Sequence, residues 1–192
     1  MAHYSHPTTE GLEAVRRFVN TVHFEQGKVE EHLDSPAALE LFLGENGFGQ
    51  VEVKPADLRR ALEVREALRN VMGANNGDPL DPETLDLLNR TAARAKVVAA
   101  FDDNASWRIE PASNGVDRAL GQMLATVFRA MSDGSWTRMK ACGNPDCRWA
   151  FYDASKNRSG RWCEMASCGN RMKARAFRER ARRQSAGGAA SE

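Results

Sequence analysis

The chain has 192 residues, of which 42% are hydrophobic and 28% charged, so it can form one ordinary domain or a domain with a small module. The net charge is only +1, and no stretch has the length and hydrophobicity of a membrane span. The first seven residues lack the basic start and apolar core of a secretory signal. We therefore expect a cytoplasmic protein, where clustered cysteines bind metal more often than they form disulfides.

The charge is unevenly divided along the chain. Residues 138–183 hold thirteen Lys/Arg against four Asp/Glu, a net charge of +9, whereas residues 1–137 carry −7. This division predicts a domain over 1–137 and a basic module over 138–184, followed by a disordered tail over 185–192 that is rich in Ala, Gly and Ser. The basic module is expected to face a polyanion. The alternative is that the two halves attract each other.

Hydrophobic periodicity predicts a helical N-terminal domain. The charges that alternate in sign along its third helix are expected to form a solvated surface. A change to alternating residues near 97–109 predicts one small β-hairpin in this domain. Helices are predicted over residues 9–24, 36–43, 55–72, 81–95 and 116–131.

All four cysteines lie in the basic module, as two pairs. Cys142 and Cys147 enclose four residues, as do Cys163 and Cys168, and fifteen residues separate the pairs. Four thiolates in two pairs suit a closed tetrahedral site for one structural zinc ion. An iron–sulfur cluster accepts the same spacing. Because about 45 residues rarely form a stable core alone, the module is expected to unfold without its metal.

The remainder of the module completes a predicted treble-clef-like arrangement of knuckle, hairpin and helix. A strand is predicted over 148–153, a polar turn over 155–160 and a final helix over 171–183. Three aromatic residues are expected to cover the zinc with apolar surface, and base stacking is the alternative. These are Trp149, Phe151 and Trp162, and the apolar stripe of the final helix is Met172, Ala176 and Phe177.

The predicted final helix is strongly basic. Seven of its thirteen residues are Lys or Arg, and only Glu179 is acidic. Its arginines recur at intervals of four, three and four residues and therefore share one face. This pattern favours phosphate contacts and some base contacts on DNA, and RNA is the alternative partner. A second alternative is a protein-interaction adaptor whose zinc is purely structural. The predicted nucleic-acid contacts are Arg158, Arg161, Arg171, Lys173, Arg175, Arg178 and Arg182.

Several segments together resemble the CGNR zinc-finger family. They are residues 142–147 (CGNPDC), 151–153 (FYD), 161–163 (RWC) and 168–175 (CGNRMKAR). Upstream, residues 18–21 (FVNT) and a mostly helical body are similar to the ABATE domain that commonly precedes this finger. The resemblance implies a bacterial, stress-induced transcription regulator whose finger binds DNA. It also implies that the four cysteines bind zinc and that Arg171 and Lys173 begin a basic helix.

The chain departs from the family pattern at two positions. Gly160 stands where relatives often have a basic residue, which predicts one phosphate contact fewer and a looser loop. Arg17 stands where an acidic residue is expected in many relatives, and this argues against a shared ligand site that uses this position.

The N-terminal domain is expected to sense a small molecule or to mediate homodimerisation. Asn20 and Thr21 are its candidate ligand contacts, and a buried structural role for the asparagine is the alternative. The sequence offers neither a nucleophile–base pair nor paired carboxylates, so we expect no enzyme activity.

Overall fold

The structure is a computed structural model that describes residues 10–25, 27–101 and 103–187 of the chain. Within these residues it is mainly helical, with three small antiparallel hairpins, and it confirms the predicted fold class. The N-terminal part contains α1 (Glu10–Val19), β1 (Val22–Glu25), β2 (Lys28–Glu31), α2 (Pro36–Glu45), α3 (Pro55–Ala74), α4 (Pro82–Arg94), β3 (Val97–Phe101), β4 (Trp107–Pro111) and α5 (Gly115–Ser132). The C-terminal part contains a 3-10 turn (Ser135–Arg138), β5 (Met139–Ala141), β6 (Ala150–Tyr152), a π turn (Met165–Gly169) and α6 (Asn170–Gly187).

Two predicted helix starts are confirmed by their caps. The Ser35 hydroxyl accepts a hydrogen bond from the amide of Ala38, and the Asp81 carboxylate accepts one from the amide of Glu83. Each cap is followed by a proline, which suits the first helical position because that residue's amide would have no intrahelical partner. None of the described helices combines the length and the hydrophobicity needed to cross a lipid bilayer.

One hydrophobic core joins both parts of the chain. The predicted domain boundary falls at the end of the 3-10 turn, and the core continues through it into strands β5 and β6. Burial of this apolar surface is the main driving force for folding. The core residues on α1, α2, α3 and α5 include Leu12, Val15, Phe18, Leu39, Leu43, Val64, Leu68, Met72, Leu120, Met123 and Leu124, and those on β5 and β6 are Met139, Ala141 and Ala150.

The first helix is shorter than predicted, and the helix expected up to residue 24 is wrong beyond Val19. The Thr21 hydroxyl donates to the carbonyl of Phe18 over 2.8 Å and ends the helix, and the chain then forms the β1–β2 hairpin. Val22 lies at helical spacing from Val19 and was therefore assigned to the helix, although it is the first residue of strand β1. The predicted start at residue 9 lies outside the described residues.

The charges of α3 are not all solvated, which corrects a second expectation. Arg65 is 4% exposed and Arg69 is 1% exposed. Arg65 binds both carboxylate oxygens of Glu31 on β2, at 2.6 and 2.7 Å. Arg69 donates to the carbonyl of Val19, the last residue of α1, and to the carbonyl of Arg148, which follows the first cysteine pair. Burial of the two guanidinium groups is tolerated because each is hydrogen-bonded to a carboxylate or to backbone carbonyls.

Helix α6 is longer than predicted. It continues to Gly187, whereas the final helix was predicted to end at residue 183. The disorder of the tail over 185–192 stays a prediction, and residues 188–192 lie outside the described chain. Ser, Ala and Gln interrupt a helix less than Gly or Pro, and the first glycine after residue 169 is Gly187. The helix therefore continues past the last arginine.

The side chain of Asn20 fixes strand β6 to the end of α1. It accepts from the amide of Ala150 and donates to the carbonyl of Ala150, both over 2.8 Å, so it covers the strand edge that β5 leaves open. Asn75 and Asn76, after α3, add bonds to the carbonyls of Met139 and Ala141. These amides join the two parts of the chain.

We predict that Asn20→Ala lowers the free energy of unfolding by about 2–4 kcal/mol. The change would leave a buried amide and a buried carbonyl without partners, and each such group costs about 1–3 kcal/mol. Urea denaturation of the metal-loaded protein measures the effect. The exposed Asn157→Ala is the control and should change stability by less than about 0.5 kcal/mol. Equal stability of both variants would contradict the structural role of Asn20.

Candidate metal centre and nucleic-acid interface

The first cysteine pair lies at the tip of the β5–β6 hairpin. Cys142 follows β5, and its amide donates to the carbonyl of Trp149 over 2.9 Å, which closes the loop. Inside the loop, the carbonyl of Asn144 accepts from the amides of Cys147 and Arg148 at 2.9 and 3.0 Å. Arg148 adopts a φ of +52° to bring the chain back into β6. The result is a tight knuckle that directs both thiols to one side.

The second pair lies at the entrance to α6. Cys163 precedes the π turn and Cys168 lies within it, so the last thiol is positioned directly before the helix. The amide of Gly143 donates to the carbonyl of Arg161 over 2.9 Å and ties the two cysteine segments together. A Cβ atom at Gly169 would overlap the side chain of Met165, which would have to move.

The structure brings the four predicted ligands together. The Sγ atoms of Cys142, Cys147, Cys163 and Cys168 all lie within 4.8 Å of one another. Two of these separations, Cys147–Cys163 and Cys163–Cys168, are 3.7 and 3.8 Å. A tetrahedral zinc ion with Zn–S bonds of about 2.3 Å holds its sulfurs about 3.8 Å apart. The cluster therefore fits a four-coordinate structural zinc ion that leaves no open position.

The protonation of the thiols shows why this cluster needs a cation. Hydrogen bonds from Cys147 and Cys163 lower the pKa of Cys142. The hydrogen bond to the Cys142 thiolate in turn raises the pKa of Cys147 and that of Cys163. Without an ion, one thiolate forms at the expense of its neighbours. A divalent cation removes that conflict and allows all four to ionise.

Asn144 supports the centre in a way that the sequence did not reveal. Its buried side-chain amide lies 3.6 Å from the sulfur of Cys168, and its side-chain oxygen accepts from the amide of Asp146 over 3.2 Å. An N–H group directed at a ligand thiolate orients the sulfur and stabilises its charge. The sequence had indicated only a turn-forming residue at this position.

A buried ion pair forms the second anchor of the module. Lys140 on β5 and Asp153 after β6 are each 3% exposed, with 2.7 Å between Nζ and Oδ2. Burial alone would raise the pKa of Asp153, but hydrogen bonds from Lys140, Ser155 and Gly160 outweigh it and lower the pKa to about 2. The carboxylate is therefore ionised at neutral pH and organises the turn that follows it.

The loop at Gly160 is firmly held, contrary to the looser loop expected from the family comparison. Its amide donates to Asp153 over 2.8 Å, and its carbonyl accepts from Lys140 over 3.0 Å. A Cβ atom here would lie 2.8 Å from the Asp153 carboxylate, so this close approach requires glycine. The same lysine binds the carbonyl of Arg158, whose guanidinium donates to Thr137.

The predicted nucleic-acid contacts are all exposed to solvent, and their binding to nucleic acid stays a prediction. Arg161 is exposed, and its guanidinium lies 5.7 Å from the centre of the Trp162 ring. Met172 is half-buried, but Ala176 is exposed and Phe177 is 67% exposed, so the predicted apolar stripe of the helix is wrong at these two positions. The residues on α6 that are exposed include Arg171, Lys173, Arg175, Arg178 and Arg182.

The aromatic residues near the cysteines differ in their surroundings. Trp162 packs beside Gly143 and Gly169, next to the metal centre, as predicted for a covering residue. Trp149 instead packs against the N-terminal part, where its ring centre lies 4.6 Å from that of His23. Phe151 is half-buried on β6.

The two candidate ligand contacts of the N-terminal domain have partners inside the protein. Asn20 binds Ala150, and the Thr21 hydroxyl binds Phe18 and accepts from Arg65 over 3.2 Å. Both residues are buried. Their role in binding a small molecule stays a prediction. In the structure both residues lie where the N-terminal part contacts the C-terminal part.

Four convergent sulfurs on a knuckle, a hairpin and a helix define a zinc-finger protein with a mainly helical N-terminal part. The chain matches the model of the CGNR zinc finger over residues 138–181 and the ABATE model, described as "Putative stress-induced transcription regulator", over residues 13–134. The chain therefore belongs to the ABATE family and carries a CGNR zinc finger, as the resemblance predicted. A search of curated proteins finds no match.

We predict that removing the metal loosens the finger but not the helical core. The cysteine loops depend on the ion, whereas Ala141 and Ala150 belong to the common core. After chelation, hydrogen exchange should show lost protection over residues 142–149 and 163–182 and retained protection in α3 and α5. Added zinc should restore the original pattern. Unchanged protection of the cysteine loops would show that they hold together without an ion.

We predict that Lys140→Met lowers the free energy of unfolding by about 3–5 kcal/mol, because it leaves the buried Asp153 carboxylate without its cation. Lys173→Met is the matched control, since Lys173 is exposed on α6. Denaturant unfolding of both zinc-loaded variants provides the comparison. Similar stability of the two variants would contradict the anchoring role of the buried pair.

Proposed function

We propose that the protein is a DNA-binding transcription regulator whose finger is held by one structural Zn²⁺ ion. In this proposal α6 contacts phosphates and base edges of the duplex. The observation that carries it is the solvent-exposed arginine face of α6, on which Glu179 is the one acidic residue. The family description and the four-sulfur centre support the same role.

The charges of α6 are available to an external partner. Within the described part of the chain, its one ion pair is Arg175–Glu179, at 3.4 Å and inside the helix. The described ion pairs include none between α6 and residues 11–137, which argues against the alternative that the basic helix is held by the acidic half. Like charges on one face repel one another, and a polyanion relieves that repulsion.

The shape of α6 supports duplex DNA over structured RNA. Eighteen helical residues span about 27 Å. The DNA major groove, about 12 Å wide, admits a helix, whereas the deep and narrow major groove of A-form RNA does not. The exposed ring of Phe177 is suited to apolar contact with a thymine methyl group. RNA remains the alternative partner in the test.

The start of α6 offers a further place for a phosphate group. Arg171, Arg175 and Arg178 border a shallow cavity of about 350 Å³ between the helix and the knuckle. Asn144 and Asp146 form its other wall. The acidic side chain would direct an anion towards the arginines rather than towards the metal centre.

The regulatory input in this proposal comes from the N-terminal part. A cavity of about 370 Å³ between α1, β4 and α5 is bordered by Arg118, Gln122 and Arg129, and supports a role in binding a small effector. Homodimerisation would allow two fingers to contact paired half-sites. In this proposal the protein acts in the bacterial cytoplasm as part of a stress response. It has no catalytic activity of its own.

We predict that Arg175→Ala and Arg178→Ala each weaken DNA binding and reduce the salt dependence of binding. Each lost phosphate contact should lower the slope of log K against log salt by about 0.9. Fluorescence anisotropy with a mixed-sequence duplex measures both quantities over a salt series. Arg17→Ala is the control, because Arg17 is exposed on α1, outside the finger.

A structured RNA of equal length, measured at the same salt concentrations, tests the alternative partner. Tighter binding of the RNA would assign the basic face to RNA. An unchanged slope in both variants would remove Arg175 and Arg178 from the interface. Absence of any nucleic-acid binding by the zinc-loaded protein would favour a protein-interaction adaptor.

A further inference from the structure

The β1–β2 hairpin brings two histidines and a glutamate together outside the cysteine centre. His23 on β1 is paired with Glu30 on β2, so the two side chains project from the same face of the hairpin. His32 follows Glu30 by two residues and continues along that face. The ligand atoms of His23, Glu30 and His32 all lie within 4.8 Å of one another.

We propose that these three residues form a second metal site, for a divalent first-row transition ion such as Zn²⁺, Co²⁺ or Ni²⁺. Neutral imidazole suits these ions, and one carboxylate gives a divalent ion partial charge compensation. Three protein ligands leave coordination positions for water. The site therefore differs in kind from the closed four-sulfur centre.

The distances are close to those of a bound ion. Metal–nitrogen bonds of about 2.0–2.1 Å hold tetrahedral ligand atoms about 3.4 Å apart. Since their present separations are at most 4.8 Å, each pair of donors needs to approach by no more than about 1.4 Å. The side chains of His32 and Glu30 are 47% and 71% exposed and can make that movement by rotation, without a change in the backbone. Their closest approach is 3.8 Å, so no short hydrogen bond between them competes with the ion.

The backbone beneath the site is held in place. The amide of His32 donates to the carbonyl of Thr21 over 2.8 Å, at the base of the hairpin. Glu31 points to the other face, where Arg65 binds it through two hydrogen bonds. The pairing of Glu31 leaves Glu30 as the carboxylate beside the two imidazole rings. Prior ordering of ligands lowers the entropic cost of binding an ion.

The site lies against the finger. The ring centre of His23 is 4.8 Å from that of His32 and 4.6 Å from that of Trp149, which follows the first cysteine pair by two residues. An ion bound to His23 would fix the imidazole ring that Trp149 contacts. An ion in the hairpin site would therefore restrict the motion of Trp149 and of the cysteine knuckle beside it.

Cobalt titration of the zinc-loaded full-length protein tests this site. We expect calorimetry to show one further Co²⁺ ion per chain. Visible spectroscopy should show its ligand-field absorption without the thiolate-to-cobalt charge-transfer band that exchange into the cysteine centre would produce. Glu30→Gln should weaken this event about tenfold or more, and His23→Ala/His32→Ala should abolish it.

The remaining two histidines of the chain provide the matched control. His3→Ala/His6→Ala should bind the additional ion as the unchanged protein does. Circular dichroism of each zinc-loaded variant checks that it is folded, and Glu30→Gln retains both aromatic contacts of His23. The proposal is overturned if no additional ion binds, if the ion enters only the cysteine centre, or if the His3/His6 variant alone loses it.

Discussion

Four neighbouring sulfurs cannot all carry negative charge unless a cation lies between them, and the C-terminal part of the protein depends on this constraint. Ionisation of Cys142 suppresses ionisation of Cys147 and Cys163. One divalent ion resolves the conflict and at the same time connects the β5–β6 knuckle to the turn that begins α6. The position of the basic helix is thus set by coordination chemistry rather than by a hydrophobic face of its own, since Phe177 on that helix is exposed.

The finger is nevertheless not structurally independent of the helical N-terminal part. Asn20 occupies the edge of β6, Arg69 binds the carbonyl of Arg148, and Trp149 packs on His23. These contacts connect the end of α1, the middle of α3 and the β1–β2 hairpin to the same side of the knuckle. A change in the hairpin, by an ion or by another ligand, would therefore reach the cysteine loops through contacts already in place.

The sequence was most informative where the signal is local. The two cysteine pairs, the cap-and-proline starts of α2 and α4 and the basic periodicity of α6 all depend on residues close together in the chain. These features could be predicted with no knowledge of the rest of the fold. The family resemblance added the order of the two parts, which the matched models confirm.

The features that the sequence did not predict depend on distant partners. Asn20 and Ala150 are 130 positions apart, and Arg69 is buried because carbonyls from two other segments meet it. The β1–β2 hairpin was missed because Val22 fits both a helical stripe and a strand. The need for glycine at position 160 could not be predicted, because it comes from the Asp153 carboxylate packed against it and not from an unusual backbone conformation.

The pairing of Asn20 with β6 also has a consequence for recombination between relatives. A finger separated at residue 138 would present the open edge of β6, and an open strand edge is a template for pairing with other chains. A chimera that joins this finger to another N-terminal part would need an equivalent of Asn20 at the end of α1 to cover that edge. Without such a residue, the uncovered edge would favour association with other chains.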